Sequence, residues 1–383
     1  MQLTNLPSDL IENILSKVPD TPLARFRTTS KRWNVMLSSE SFIKKHSANA
    51  PKGESLCITL IHSRVHLVRI NLHDPSVKVA THPFYLKDPL SSSSQVDIRD
   101  VFHCDGLLLC TTKDKRLVVW DPYSGETKWI KPRDSDRYKK SDYFALGFDK
   151  KSSCKQYKIL RVDRQYTIPI KNFYEVYDFT SDSWRVLGTA TDWYIPDYRR
   201  GISMKGNTYW LAKRMVKPET EFILSFDFSE ETFQSLPLPH PFLGLTALSV
   251  VKEEQLCLLG FQLFLMGEDA CSSELQVWET TSTGSWNKSL AVVGLDGYRD
   301  MFNDMISRGI SFLADEQKKV VICLNRENNL NILRENKHIL HEHLGGGSKC
   351  VSSPAVLMNF PPSLARIQQG TFLKGRKRKA ESM

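Results

Sequence analysis

Hydrophobic residues near the N-terminus recur at helical spacing. From Leu10 they fall at positions i, i+1, i+4, i+5 and i+8, which is the apolar stripe of an amphipathic helix. Pro7 suits a first helical turn, where a missing N–H is tolerated, and Pro19 ends the pattern. Leu23 and Phe26 then predict a short second helix.

A third helix is predicted from Ser30, with Trp33 and Leu37 on one face. Ser39 is placed to cap a final turn that holds Phe42. Three short helices in about forty residues bury too little surface to be robust alone, and this segment holds no cysteine that could link them. We therefore expect these helices to dock on another helical protein.

Beyond residue 50 the pattern changes to short strand-like runs separated by Gly, Asp, Ser and Pro, which is typical of an all-β domain. Residues 106–110 are predicted to pair with residues 117–120 as a hairpin. Residues 56–61 predict another strand. His62 and His66, which follow that run, are predicted to lie on one face of a strand because side chains alternate along it.

Four segments of this β region repeat one pattern: a strand, an aromatic residue, an acidic residue, a polar turn and a second aromatic residue. The acidic residues are Asp121, Asp178, Asp227 and Glu279, separated by 57, 49 and 52 positions. A period of roughly 50 with several strands per unit is typical of β-propeller blades, and a β-sandwich of repeated hairpins is the alternative. The acidic side chains are expected to bond the backbone of the turns. The tryptophans expected to pack between blades are Trp120, Trp184, Trp210, Trp278 and Trp286.

The composition is that of a globular protein, with 41% hydrophobic and 25% charged residues in 383. The eight cysteines are dispersed without a CxxC pair and no secretory signal is visible, which predicts an intracellular protein of the nucleus, the cytoplasm or both. The apolar run over 256–267 is too short to span a bilayer. The net charge of +9 divides into +3 for residues 1–50, +2 for 51–371 and +4 for 372–383. A nearly neutral middle argues against a nucleic-acid-binding body.

Catalytic motifs are not visible: HExxH, GxGxxG, P-loop and GxSxG patterns do not occur. His338, His341 and His343 precede Cys350 and could hold a metal ion. A solvated strand or loop is the favoured interpretation, because no second ligand pair has zinc-site spacing. We therefore predict no catalytic residue, no cofactor and no metal.

The N-terminal pattern resembles the F-box. The matching positions are Leu6-Pro7-x-x-Leu10, Ile14-Leu15, Val18-Pro19, Leu23, Phe26, Ser30-Lys31-Arg32-Trp33 and Phe42. Ser30 departs from many F-boxes, which have Cys there. The resemblance implies docking on a Skp-type adaptor and, through it, on the cullin and RING subunits of a ubiquitin ligase. The residues that it assigns to adaptor binding are Leu6, Pro7, Leu10, Ile14, Leu15, Val18, Leu23, Phe26 and Trp33.

The β region resembles the plant F-box-associated domain of the kelch-like, type-one kind. The segments that carry the resemblance are 120–126, 145–149, 157–159, 174–178, 206–212, 223–227 and 362–367. Together the two resemblances imply an α+β multidomain fold. It would combine a three-helix F-box domain over 1–47, an all-β kelch-like propeller over 48–371 and a basic disordered tail over 372–383.

This organisation implies a non-catalytic receptor of an SCF-type cullin–RING ubiquitin ligase, which bridges the adaptor and a target protein for ubiquitination. One alternative is a β-propeller receptor for a small ligand or glycan, which would need convergent polar groups in a pocket. The other is a nuclear nucleic-acid-binding protein that binds through its basic tail. The nearly neutral middle of the chain argues against it.

Two further segments stand out by composition. The segment 191–200 mixes aromatic residues with arginine, a combination enriched at binding hot spots, although a loop folded back on the propeller is an equal alternative. The residues predicted to bind the target are Trp193, Tyr194, Tyr198, Arg199 and Arg200. The tail holds a basic cluster that predicts either a nuclear localisation signal or a solvated tail. Its members are Lys374, Arg376, Lys377, Arg378 and Lys379.

Overall fold

A computed structural model of the chain places a helical segment before a β domain. The residues that it describes are 7–18, 23, 26, 30–37, 39–49, 54–72, 78–89, 95–133, 138–139, 141–151, 155–165, 171–190, 192–196, 199–215, 220–239, 246–251, 254–265, 271–281, 284–293, 310–315, 318–334, 337–345, 356–360 and 367.

Two of the three described helices begin after a serine that caps them, and the first begins after Pro7 without a side-chain cap. The helices are α1 (Ser8–Leu15), α2 (Lys31–Leu37) and α3 (Glu40–Asn49). The Ser30 hydroxyl accepts a hydrogen bond from the backbone N–H of Trp33 at 3.2 Å, and Ser39 does the same for Phe42 at 3.2 Å. Both serines satisfy a backbone donor at a helix start, which confirms the predicted cap at Ser39 and the predicted helix start at Ser30.

The predicted set of three short helices is not reproduced. Two described helices are short, but α3 extends over ten residues where a single turn was expected. His46 gives α3 its tertiary support, because the ring stacks on Phe42 at 5.8 Å and its Nε2 lies 2.9 Å from the carbonyl oxygen of Val18. The predicted second helix lies mostly outside the described residues, although Leu23 and Phe26 are helical.

The β domain contains 25 strands in the described residues, in six sheets. The first strands are β1 (Glu54–Ile61), β2 (Arg64–Asn71), β3 (Lys78–Pro83), β4 (Ile98–Cys104), β5 (Leu107–Thr112), β6 (Leu117–Trp120), β7 (Thr127–Ile130), β8 (Tyr143–Asp149), β9 (Gln156–Gln165), β10 (Lys171–Asp178), β11 (Ser183–Ala190) and β12 (Trp193–Tyr194). The others are β13 (Ile202–Met204), β14 (Asn207–Arg214), β15 (Glu221–Asp227), β16 (Thr232–Leu236), β17 (Thr246–Val251), β18 (Gln255–Leu265), β19 (Cys271–Thr280), β20 (Trp286–Val293), β21 (Ser311–Asp315), β22 (Val320–Leu324), β23 (Asn329–Arg334), β24 (Lys337–His343) and β25 (Met358–Asn359).

The six sheets are the blades of a propeller. Blade 1 has the order β25-β1-β2-β3, and blades 2, 3, 5 and 6 are the antiparallel meanders β4–β7, β8–β11, β17–β20 and β21–β24. In blade 4, β12 and β13 both pair with the same edge of β14, which is followed by β15 and β16. The first strands of blades 2 to 6 contact one another in succession, and β21 of blade 6 contacts β25. These strands therefore surround a central axis, and the β-sandwich alternative is wrong.

The ring closes through the end of the chain. Strand β25 is the first strand of blade 1, where Asn359 pairs with Cys57 and Met358 with Ile58. The backbone N–H of Phe360 also donates to the carbonyl oxygen of Leu56 at 2.9 Å. Pairing the two ends of the domain leaves no open edge at the axis, which is how a propeller avoids an exposed strand edge.

The core is divided among the interfaces between blades. Separate clusters of buried residues join blades 1 and 2, blades 2 to 4, blades 4 and 5, blades 5 and 6, and blades 6 and 1. Trp120 and Trp210 are almost fully buried in these clusters, and the other three predicted tryptophans pack against them. Inter-blade packing of the five tryptophans is thus confirmed.

The repeated acidic residues mark the end of the third strand in blades 2 to 5. Asp121 follows β6, and the other three end or nearly end β10, β15 and β19. Asp121 Oδ1 accepts the N–H of Tyr123 at 2.9 Å, and Asp227 Oδ1 accepts that of Ser229 at 2.7 Å. Asp178 Oδ1 likewise accepts the N–H of Thr180 at 2.7 Å. In blades 2 to 4 the repeat is therefore one turn, in which a short carboxylate bonds the backbone.

Candidate functional site: a helical docking face and an axial cavity

Helix α1 leaves one apolar face open. Ile11 and Leu15 are buried, whereas Leu10 and Ile14 are 45% and 46% exposed. Pro7, directly before the helix, is exposed as well. Spacings of three and four residues place Pro7, Leu10 and Ile14 on the same side of a helix, so they form one continuous surface, which we call the α1 face.

The remaining predicted adaptor-binding residues serve mainly to hold the helices together. Leu15 and Leu23 belong to a buried cluster with Ile11, Leu37 and Phe42. Three more of the predicted residues, namely Val18, Phe26 and Trp33, are partly buried and pack around that cluster with Met36. The rings of Phe26 and Trp33 lie 6.2 Å apart. Leu6 lies outside the described residues.

The propeller axis holds a cavity of about 370 Å³. Its wall is formed by the first strands of blades 4, 5 and 6, by β25 and by the hairpin turns that follow β4, β8 and β13. Serines and apolar residues both belong to this wall. The charged residues of the lining are Asp105, Lys155, Arg199, Arg200, Lys205 and Glu254.

The predicted target-binding loop lies at one end of this cavity. Trp193 is buried and its ring lies 5.0 Å from that of Phe233, so the start of the loop is part of the core. Arg199 and Arg200 line the cavity. Tyr194 is half-buried, and Tyr198 lies outside the described residues.

Carboxylates fix both arginines. Arg199 Nη2 lies 3.3 Å from Glu221 Oε1, and the Arg199 side chain is 9% exposed. Arg200 donates to the carboxylate of Asp100 and, at 3.1 Å, to the carbonyl oxygen of Val101. These ion pairs tie the loop to blades 2 and 4, as expected for a loop that folds back on the propeller.

An ionic cluster borders the cavity at the turn after β4. Asp105 accepts a hydrogen bond from Lys155 Nζ at 2.7 Å and another from the Tyr157 hydroxyl at 2.5 Å. Burial, followed by the charge of Asp105, raises the pKa of Tyr157, so this phenol stays protonated and acts as a donor. The cluster links blade 2 to blade 3 beside the cavity.

His103 is held as a neutral acceptor at the same place. Its Nε2 accepts the backbone N–H of Gly106 at 2.9 Å. Burial lowers the pKa of His103 to about 4, and the nearby charge of Asp105 acts weakly in the opposite direction. Sequence reasoning missed this residue and most of the cavity. The available signal was the repeated x-Gly turn, which recurs with positive φ at Asp105-Gly106 and Lys205-Gly206.

The histidines that the sequence analysis singled out lie on the outer parts of blades 1 and 6. His62 lies in the turn between β1 and β2 with φ of 48°, while His66 is in β2, so the prediction that both share a strand face is wrong. His338, His341 and His343 lie on β24, and Cys350 lies outside the described residues. Within the described part of the chain, no group of three or more His, Cys, Asp or Glu side chains could hold a metal ion.

Two protein families match the chain in the order that the structure shows. The family described as "F-box associated beta propeller domain" matches residues 56–367, and the family described as "F-box domain" matches residues 3–45. The chain therefore belongs to the F-box proteins with an F-box-associated β-propeller. The exact domain boundaries, and the basic tail outside the described residues, stay predictions.

Relatives of nearly equal length carry F-box names. The chain is 49% identical to "Putative F-box protein At3g23260" of Arabidopsis thaliana, over 96% of this chain and all of the relative. It is 36% identical to "F-box/kelch-repeat protein At3g16740" of the same plant, over 96% and 100%. A solved structure of an oligogalacturonate lyase with manganese aligns with a TM-score of 0.39 at 8% identity, over 79% of this chain and 89% of that one. Likeness at that level supports no conclusion.

No helix in the described residues is long and apolar enough to cross a membrane.

Proposed function

We propose that this protein is the substrate-recognition subunit of an SCF-type cullin–RING ubiquitin ligase. Its helical segment binds a Skp-type adaptor and, through it, the cullin and RING subunits. Its propeller holds a target protein close to a ubiquitin-charged enzyme bound elsewhere in the assembly. The chain supplies proximity and no catalytic group, because a high effective concentration is what such a bridge contributes.

The observation that carries this proposal is the α1 face. Small helical segments bury their core only partly, and here five apolar residues are buried while Leu10 and Ile14 stay nearly half exposed. An amphipathic helix with an open apolar side is a common docking element for another helical protein. The match of residues 3–45 to the F-box family supports the adaptor as the partner.

Charged substitutions at Leu6, Pro7 and Leu10 test adaptor binding. We expect the triple variant to lose co-purification with a Skp-type adaptor while the propeller keeps its melting temperature, because no described contact joins these residues to the β domain's clusters. Co-purification from purified components is the assay. Undiminished capture by the triple variant would refute the assigned surface.

The target is proposed to bind at the propeller, with Trp193, Tyr194, Tyr198, Arg199 and Arg200 contributing. Arg199 and Arg200 support this because they line the axial cavity. Replacement of the five residues by Ala should abolish target capture and leave adaptor binding intact. Since Trp193 is buried, the Arg199→Ala/Arg200→Ala variant, which leaves Trp193 in place, is the companion measurement. If a folded variant captured the target as before, this site would be wrong.

A ligand-binding propeller is the second candidate, favoured by the axial cavity. A volume of about 370 Å³ lies within the range of small-molecule sites. A rise in melting temperature on adding a small ligand or glycan, without any protein partner, would support it. If the same preparation also failed to bind the adaptor, the ligand-binding propeller would be favoured over the ligase subunit.

A further inference from the structure

Two histidines of the outer strand of blade 6 lie two residues apart on one face. His341 and His343 belong to β24 and pair directly with Asn331 and Asn329 of β23. Residues two apart on a strand point to the same side of the sheet, with Cα atoms about 6.6 Å apart. Both histidines are exposed, so an ion in solution can reach their rings.

Each ring is oriented by an amide oxygen of the facing strand. His341 Nδ1 lies 2.8 Å from Asn331 Oδ1, and His343 Nδ1 lies 3.0 Å from Asn329 Oδ1. An amide oxygen only accepts hydrogen bonds, so Nδ1 of each neutral ring is the donor. Nε2 of each ring therefore carries the lone pair, on the side of the ring away from the amide.

This is the arrangement found for histidines that bind metal ions. One ring nitrogen donates to an oxygen, which fixes the tautomer and makes the other nitrogen a better ligand. Asn331 is fully buried, so the blade holds its oxygen in place. The ring of His338 also reaches Asn331 Oδ1, at 3.2 Å through Nε2, and lies 6.2 Å from the ring of His341.

We propose that His341 and His343 bind a divalent transition-metal ion, of the copper, nickel or zinc kind, through their Nε2 atoms. Imidazole nitrogen suits these ions, whereas Mg²⁺ and Ca²⁺ prefer oxygen ligands. The two imidazoles would supply two ligands and leave the other coordination positions to water. From the sequence alone, a solvated strand or loop was favoured for these histidines. We now favour a metal site, because asparagines ten and fourteen residues away in sequence orient the two rings.

Copper titration of the full-length chain, prepared without a histidine tag, tests this site. One equivalent of Cu²⁺ should give an electron paramagnetic resonance spectrum with coordination by two nitrogens. The His341→Ala/His343→Ala variant should lose that signal and bind copper at least roughly tenfold more weakly. Removal of an orienting amide in Asn329→Ala should weaken binding by about 10-fold or more, the usual cost of losing such a partner.

A matched control is the His62→Ala/His66→Ala variant, which removes two histidines of blade 1 and should leave the copper signal unchanged. Because His341 and His343 are exposed, their double variant should keep the wild-type melting temperature. If it did not, the single His343→Ala variant would decide by the same spectrum. Equal copper affinity and an unchanged nitrogen pattern in a folded variant without these histidines would overturn the proposal, as would loss of the signal in the control.

Discussion

Replacing Leu10 and Ile14 together by Ala removes most of the apolar surface that α1 leaves open. The two side chains are 45% and 46% exposed in the free chain, so about half of each is still available for burial by a partner. Full burial of such a side chain stabilises by about 1.5–3 kcal/mol, so each exposed half corresponds to about 0.7–1.4 kcal/mol. The pair then contributes about 1.4–2.8 kcal/mol to docking, so its removal should raise the Kd for the adaptor roughly 10- to 100-fold.

Isothermal titration of the full-length chain with a purified Skp-type adaptor measures this change. The matched control is Val186→Ala, because Val186 is a 53% exposed aliphatic residue on the outer strand of blade 3. It should leave the Kd unchanged. Leu15→Ala offers a contrast, since Leu15 is 3% exposed and its truncation should destabilise the helices by about 2–5 kcal/mol.

Measuring adaptor affinity and helix stability in the same variants separates an effect on docking from an effect on folding. In the Leu10→Ala/Ile14→Ala variant each truncation should cost the helices less stability than Leu15→Ala does, because Leu10 and Ile14 are nearly half exposed in the free chain whereas Leu15 is buried. A Kd within twofold of the wild-type value would refute the assignment of the α1 face. An equal loss of binding in Val186→Ala would show that the effect is not specific to this face.

Three further outcomes follow from the structure. Gly147→Ala should destabilise the propeller by about 1–3 kcal/mol, since an added Cβ would lie 2.2 Å from the Phe228 ring; thermal unfolding measures it. The pKa of His103 is lowered to about 4 in the folded protein, against about 6.5 in the unfolded chain. The free energy that the neutral His103 contributes to folding is therefore fully present above about pH 6.5 and should be lost as the pH falls towards 4, because the protonated ring can no longer accept the Gly106 N–H. Melting curves of wild type and His103→Gln across this window should converge at acid pH. Removing residues 372–383 should reduce nuclear accumulation of a fluorescent fusion, and unchanged localisation would refute the predicted signal.

Local features of the fold were predictable from sequence because their causes are local. Ser39 caps α3 through the N–H of Phe42 three residues later, and the capping pattern is visible in any sequence. Asp121 bonds the backbone of its own turn, and the recurrence of an acidic residue at this position marked blades 2 to 5 but not blades 1 and 6. In each case the interacting groups lie within a few positions of each other.

Features that depend on distant partners could not be predicted in the same way. The length of α3 depends on a contact between His46 and Val18, 28 positions apart. The closing strand pairs Asn359 with Cys57, and no pattern near Asn359 indicates that partner. Blade number therefore emerges only from the assembled ring.

In the candidate site, too, the local features were predictable from the sequence and the tertiary contacts were not. The α1 face was predictable because one helix defines it, whereas its division into exposed and buried residues depends on the other helices. Composition suggested an interface at the loop that begins with Trp193. Packing of Trp193 against Phe233 at 5.0 Å, across blade 4, is a tertiary contact that composition does not reveal.

Binding of a Skp-type adaptor to the intact chain and to a chain lacking residues 1–47 is the most direct measurement. The intact chain should form a stable one-to-one complex on size exclusion. The shortened chain should keep the melting transition of its propeller and form no complex. Identical elution of the two chains with the adaptor, whether both bind it or neither does, would contradict the proposal that the N-terminal helices are completed by a partner.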